Sequence, residues 1–183
     1  MKKFALIAMA AAATIATPAA AQSVTGTITL TGVVGPKCFV VPGSGSTFSD
    51  SVDFLALDAA DGTLRSGLAT DFGTRTFTVK CTSANPGLSI TATPLATGGA
   101  AATGYDNSID YNATLTVDTT AGSTAVTDAS GTAGATTGAA GAPLANAAGN
   151  VRVTTAGYAT NTATDLLVAG TYNGVITVVI SPN

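Results

Sequence analysis

The feature that most constrains this chain is a run in which apolar and polar residues alternate one by one. Ile109, Tyr111, Ala113, Leu115 and Val117 fall on one phase, and Asp110, Asn112, Thr114 and Thr116 on the other. A period of two sends one set to a buried face and the other to water, which a half-buried strand does and a helix of period 3.6 does not. The same period recurs along the chain. In Arg75 to Cys81, Phe77, Val79 and Cys81 point inward and Thr76, Thr78 and Lys80 outward, while Leu88, Ile90 and Ala92 alternate with Ser89 and Thr91. Thr27 to Val34 reads TITLTGVV, with Ile28, Leu30, Gly32 and Val34 on one face. A short strand is expected around Val151 and Val153. Tyr172 to Ile180 is apolar on both faces, as a strand covered from two sides should be. Branched Val, Ile and Thr dominate these runs and suit a pleated surface.

Turn pairs separate the runs: Pro42-Gly43, Asp61-Gly62, Pro86-Gly87, Gly98-Gly99 and Asn173-Gly174. Short strands with such breaks predict an antiparallel β-sandwich. Leu55 to Leu68 fits either a strand with a loop or one helical turn. The tract Thr119 to Asn150 differs in kind, being nearly all Ala, Gly, Thr and Ser, with Val126 and Leu144 its only sizeable apolar residues. So little buriable surface offsets little ordering entropy, so a long surface loop over about 119–150, with at most a weak hairpin, is expected.

The N-terminus predicts export. Lys2 and Lys3 precede an apolar run from Phe4 to about Ala16, then Pro18 and Ala19, Ala20 and Ala21 before Gln22. That order is a secretory signal peptide over residues 1–21, with an apolar run shorter than the roughly 20 residues of a membrane span. Removing it leaves five cations (Lys37, Arg65, Arg75, Lys80, Arg152) against ten Asp, a net charge of −5. Such a chain has no basic stripe for nucleic acid and no electrostatic attraction to an anionic membrane. With six Phe, four Tyr and no Trp in the whole sequence, its core is modest and a covalent staple would matter. Cys38 and Cys81 are the only cysteines, and an oxidising compartment predicts that they pair.

Chemistry-bearing constellations are sparse. Without His, a Ser or Cys nucleophile lacks its usual base, so no catalytic residue, cofactor or metal site is assigned. Asp106 and Asp110 in YDNSID suggest a calcium loop, but the segment lacks the ligand spacing and closing Glu of one, and turn formation accounts for it better. Asn112-Ala113-Thr114 fits a glycosylation sequon inside a predicted strand. Tyr105 and Tyr158 near strand ends are candidate sugar-binding aromatics, although tyrosines in a sandwich more often cap a core.

The order of parts around the cysteines carries a resemblance. GTITLTGVVGPKCFV, Gly26 to Val40, resembles the start of mature chaperone-usher fimbrial subunits, and TFTVKCTSANPGLSITAT, Thr76 to Thr93, looks like their second strand with its partner cysteine. The terminal LLVAGTYNGVITVVISPN is similar to the closing strand of that family and of the related secreted spore-coat-U-like domains. The resemblance implies an immunoglobulin-like sandwich over 35–183 that lacks one strand, and an N-terminal extension over 22–34 that fills the gap of the next subunit by β-strand addition. Its donor face would be Val24, Gly26, Ile28, Leu30, Gly32 and Val34, and Ile176, Val178 and Ile180 would edge the groove. From Ser23 to Val34 an extended segment reaches roughly 40 Å. The implied partners are neighbouring copies or related subunits, a periplasmic chaperone and an outer-membrane usher. The implied product is an adhesive surface filament, reached through the periplasm. The other reading open at this point is a self-contained secreted or surface sandwich that binds a carbohydrate or protein, with Ile28 to Val34 as one of its own strands.

Overall fold

The computed structural model describes residues 26–43 and 45–183. The signal peptide and Val24 lie outside the described residues. The chain divides at Val33/Val34, and the two units are taken separately. In the first, Gly26 to Val33 forms neither strand nor helix. The strand expected over Thr27 to Val34 is therefore not formed, and alternation alone did not supply a partner ladder.

The second unit is all-β, and 43% of the described residues are in strands or bridges. Its strands are β1 (Cys38–Val41), β2 (Arg75–Cys81), β3 (Gly87–Ala92), β4 (Leu95–Ala96), β5 (Tyr105–Asp106), β6 (Ser108–Thr119), β7 (Gly122–Ala129), β8 (Thr136–Ala139), β9 (Val151–Ala159), β10 (Leu166–Leu167) and β11 (Ile176–Ser181), with a five-residue helix α1 (Leu68–Phe72) between β1 and β2. The larger sheet runs β1-β2-β9-β6, with β4 and β7 both on the far side of β6. The smaller runs β11-β3-β8, and both are antiparallel. β5 and β10 form a separate parallel pair, which the alternation did not reveal because each has only two residues.

The core lies between the sheets in a sandwich-like arrangement. Leu88, Ile90 and Ala92 of β3 cluster with Ile109, Tyr111, Ala113, Leu115 and Val117 of β6, Val79 of β2, and Val151 and Val153 of β9. These are the inward phases that the period of two predicted. β6 is the spine: it ladders to β9 from Asp110 to Val117 and to β7 from Asn112 to Thr119. Across the first of these pairs Arg152 forms a bidentate ion pair with Asp118. The predicted disulfide forms between Cys38 and Cys81, which face each other in the β1–β2 register. The disulfide fits an exported protein, and among the described residues no helix is long and apolar enough to cross a membrane.

Three expectations need correction. The tract Thr119 to Asn150 is not a loop. It holds β7 in the larger sheet and β8 in the smaller, and Ala140, Leu144 and Asn150 are buried. Small side chains are what allow this packing: a Cβ on Gly138 of β8 would lie 2.6 Å from Val126 Cγ1 of β7, so the two strands approach there only because the residue is glycine. Buried Asp128 then accepts hydrogen bonds from Ala92 N at 2.8 Å and Thr136 Oγ1 at 2.7 Å, which ties β7 to the other sheet. Second, the last strand starts at Ile176 rather than Tyr172 and is covered on one face only, with Val175 and Val179 exposed. Third, Leu55 to Leu68 holds no strand. One isolated bridge joins Asp58 to Leu64, and the helical turn begins at Leu68.

Candidate functional site

β11 is the end strand of the smaller sheet. Among the described residues it ladders to β3 alone, leaving its other edge without a neighbour. Beside it opens a cavity of about 1050 Å³. Ile176 and Val178 of β11 form one wall, Phe77 of β2, Val153 of β9 and Tyr111 of β6 another, and the segment from Phe48 to Asp58 a third. The cavity exists because the smaller sheet ends at β11, while the larger continues past β9 to β2 and β1.

Tyrosines give the cavity its character. Tyr158 stacks on Tyr111 with ring centroids 5.3 Å apart and meets Phe54 edge-on at 5.9 Å. Its hydroxyl donates to Thr155 Oγ1 at 2.8 Å. The Tyr172 hydroxyl donates to the carbonyls of Val168, at 3.0 Å, and Asp106, at 3.1 Å. Burial pushes the Tyr111 phenol up to about 12, helped by the negative charge that Tyr158 and Asp128 would present. Burial also raises Tyr158 and Tyr172, partly opposed by the hydrogen bonds with Thr155 and Val168. All three phenols therefore stay neutral at physiological pH. The charged lining consists of Arg75, Asp50, Asp53 and Asp58. Arg75 lies over the Phe72 ring at 5.5 Å, and its buried Nε has no hydrogen-bond partner among the described residues. Such a cavity suits an apolar, extended occupant that brings few charges of its own.

The raised Tyr111 phenol has a measurable consequence. A group whose folded-state pKa lies above its unfolded value stabilises the fold below the unfolded pKa and loses that contribution as pH rises through the folded one. Between pH 10 and about 12 the protein should lose about 3 kcal/mol of stability from this group. Urea unfolding of Tyr111→Phe across that range should show a clearly flatter decline; parallel curves for the two chains would contradict the assignment.

The residues singled out from the sequence fall as follows. Ile176 and Val178 border the cavity, whereas Ile180, further along β11, packs on the core but does not line it. Of the donor-face residues within the first unit, Ile28 and Leu30 are 88% and 90% exposed, and Gly26 and Gly32 lie in the same strandless stretch. Val34, which opens the second unit, is also exposed. Tyr158 lines the cavity, and Tyr105 of β5 is exposed elsewhere. Asp106 accepts from Thr162 N at 3.2 Å and Asp110 from Ser130 Oγ at 3.3 Å. Asn112 is exposed on β6. The residues the sequence did not single out are those of Phe48 to Asp58. Its Ser and Asp content reads as turn chemistry, although Phe48, Val52 and Phe54 share one phase of a two-residue period.

The fold and cavity thus define a disulfide-bonded, β-sandwich-like all-β chain with an apolar cleft beside an open sheet edge. Comparison of the chain with protein-family models, curated proteins and solved structures finds no match.

Proposed function

We propose that the protein is a structural subunit of a fimbria-like surface filament, built on an incomplete immunoglobulin-like sandwich and assembled by strand donation. The observation that carries this reading is the edge of β11, free among the described residues, flanking a cavity lined mainly by apolar and aromatic side chains. An unpaired edge offers a row of N–H and C=O groups to an added strand, and Phe77, Tyr111 and Tyr158 beside it offer surfaces on which that strand's inward side chains can pack. The occupant is the leading segment of a second copy, whose Ile28 and Leu30 are exposed and whose described residues, from Gly26, form no strand of their own chain. Gly32 and Val34 continue that phase, with Gly26 and Val24 preceding it. Head-to-tail addition of this kind does not close on itself and so propagates a filament. Export through the periplasm, a chaperone holding the open edge, an outer-membrane usher and a role in adhesion belong to the same proposal.

A second reading, a self-contained module binding a carbohydrate or protein, is favoured by the tyrosine-lined cavity, where Tyr158 offers an aromatic face. One experiment separates the two. Deleting Gln22 to Leu30 should leave a folded chain that no longer forms the multimers of the full mature chain, read as a ladder on SDS gels without heating. A full chain that stays monomeric, together with a truncated chain of equal stability, would sink the filament reading and leave the binding module.

A further inference from the structure

We propose, on the strand-donation reading, that Phe48 to Phe54 is a resident strap that holds the cleft of the lone subunit and must leave its seat before an incoming strand can pair with β11. The side chains of this segment alternate as a strand's do. The Phe48 ring lies 4.2 Å from that of Phe77. Asp50 pairs with Arg75 at 3.6 Å. Val52 is half-buried against the core, and Phe54 meets Tyr158. Ser49, Ser51 and Asp53, on the other phase, are exposed, and Asp50 keeps its carboxylate exposed while pairing with Arg75.

A strand's side-chain pattern is therefore present without a strand's backbone ladder: Phe48 to Phe54 belongs to no sheet. Its own hydrogen bonds are local or come from a side chain. Asp50 Oδ1 accepts from Ser51 N at 2.8 Å and Asp53 Oδ1 from Leu55 N at 2.9 Å, while Phe54 O accepts from Arg65 at 3.1 Å. Arg65 is itself held by Asp71 of α1. The strap ends at Leu55, a fully exposed leucine at φ 60, in the left-handed region that disfavours a branched side chain. Side chains thus seat the strap while a strained turn works against it. The free edge of β11 meanwhile keeps its hydrogen-bonding capacity for a strand that can form a ladder. A donated strand gains that ladder, which the strap does not, so exchange favours the newcomer once the strap has swung away.

The test uses the full mature chain and a synthetic peptide of residues Ser23 to Val34 as the probe, with association followed by fluorescence polarisation. If the strap gates the cleft, the observed on-rate scales with the fraction of molecules whose strap is unseated. Phe54→Ala should then raise the on-rate on the order of tenfold with little change in off-rate. Leu55→Asn, better suited to the left-handed region, should lower it. Val126→Ala, which loosens the β7–β8 packing instead, should leave it at the wild-type value. On saturation with peptide, the amides of Phe48 to Phe54 should exchange with deuterium faster. If Phe54→Ala does not fold, Leu55→Asn against wild type decides alone. Peptide binding at one common rate in all chains would overturn the strap while leaving strand donation standing. Failure of the peptide to bind any of them would overturn strand donation and the strap with it.

Discussion

Asn150→Ala should lower the free energy of unfolding by about 4 kcal/mol, one of the two largest effects expected of a single substitution in this chain. Asn150 is fully buried, and its amide uses both polar atoms. Oδ1 accepts from Val79 N at 2.9 Å, and Nδ2 donates to Val79 O at 2.7 Å and Ala145 O at 2.8 Å. The location explains the strength. The β2–β9 ladder pairs Arg75 with Val153, Thr76 with Arg152 and Phe77 with Val151, and there it stops. Val79, two residues further along β2 and almost fully buried, would have orphaned backbone groups. The carboxamide carries one acceptor and two donors in a plane, so it stands in for the missing peptide unit and also ties down the preceding turn. Alanine would leave the two buried Val79 groups unpaired, each costing about 1–3 kcal/mol, and the part-buried Ala145 carbonyl to find water instead. Asn150→Asp should be at least as damaging, since it keeps the shape but sets a carboxylate oxygen against two carbonyls. Urea unfolding would report the loss as a lower midpoint with an unchanged slope. A loss below about 1 kcal/mol would mean that the Val79 groups find other partners.

No feature of the sequence marks Asn150. It sits at the end of ANAAGN, in a tract whose composition signals exposure, and its role depends on its bonding to Val79, 71 residues away, where the β2–β9 ladder has run out. The same limit applies to the whole of Thr119 to Asn150. Hydrophobic periodicity measures how much apolar surface each face can bury, and Ala, Gly and Thr bury too little to register. Gly138 and Asp128 hold that region in place through a close approach and a pair of hydrogen bonds, neither of which leaves a periodic trace. Where large side chains alternate, the pattern reports burial: β3 and β6 bury the residues expected of them, and β2 buries Val79 while Phe77 and Cys81 are partly covered. Around the cleft, Ile176 and Val178 were legible only through the resemblance of the terminal segment to a closing strand, because an unbroken run of β-branched residues from Ile176 to Ile180 marks a strand without marking its covered face. The strap was not, because Asp50 is inward in phase yet charged, and its partner Arg75 lies beyond α1. The overlong reading of the last strand has a similar cause: the sequence shows that Val175 and Val179 are apolar but not that nothing packs on them.

Reduction of the Cys38–Cys81 disulfide, or Cys81→Ser, should cost a comparable amount, about 4 kcal/mol in the chain-entropy treatment, for a bridge between residues 43 apart in sequence. The loop it closes holds nearly all the irregular chain between β1 and β2, including the strap, the Arg65 clamp and α1. β1 has only four residues and, among the described residues, ladders to β2 alone at the sheet margin. The disulfide therefore restrains the part of the fold with the fewest ladder bonds of its own. Two consequences separate this from uniform loosening. The urea midpoint should fall by the amount corresponding to about 4 kcal/mol. In hydrogen exchange, amides of Cys38 to Val41 and of the strap should lose protection in the reduced chain before those of β6 and β9, whose ladders are long and central. A reduced chain with an unchanged midpoint would mean that β1 is held by its ladder and packing alone. Equal loss of protection in β1 and β6 would mean that the staple supports the whole core rather than the margin that borders the cleft.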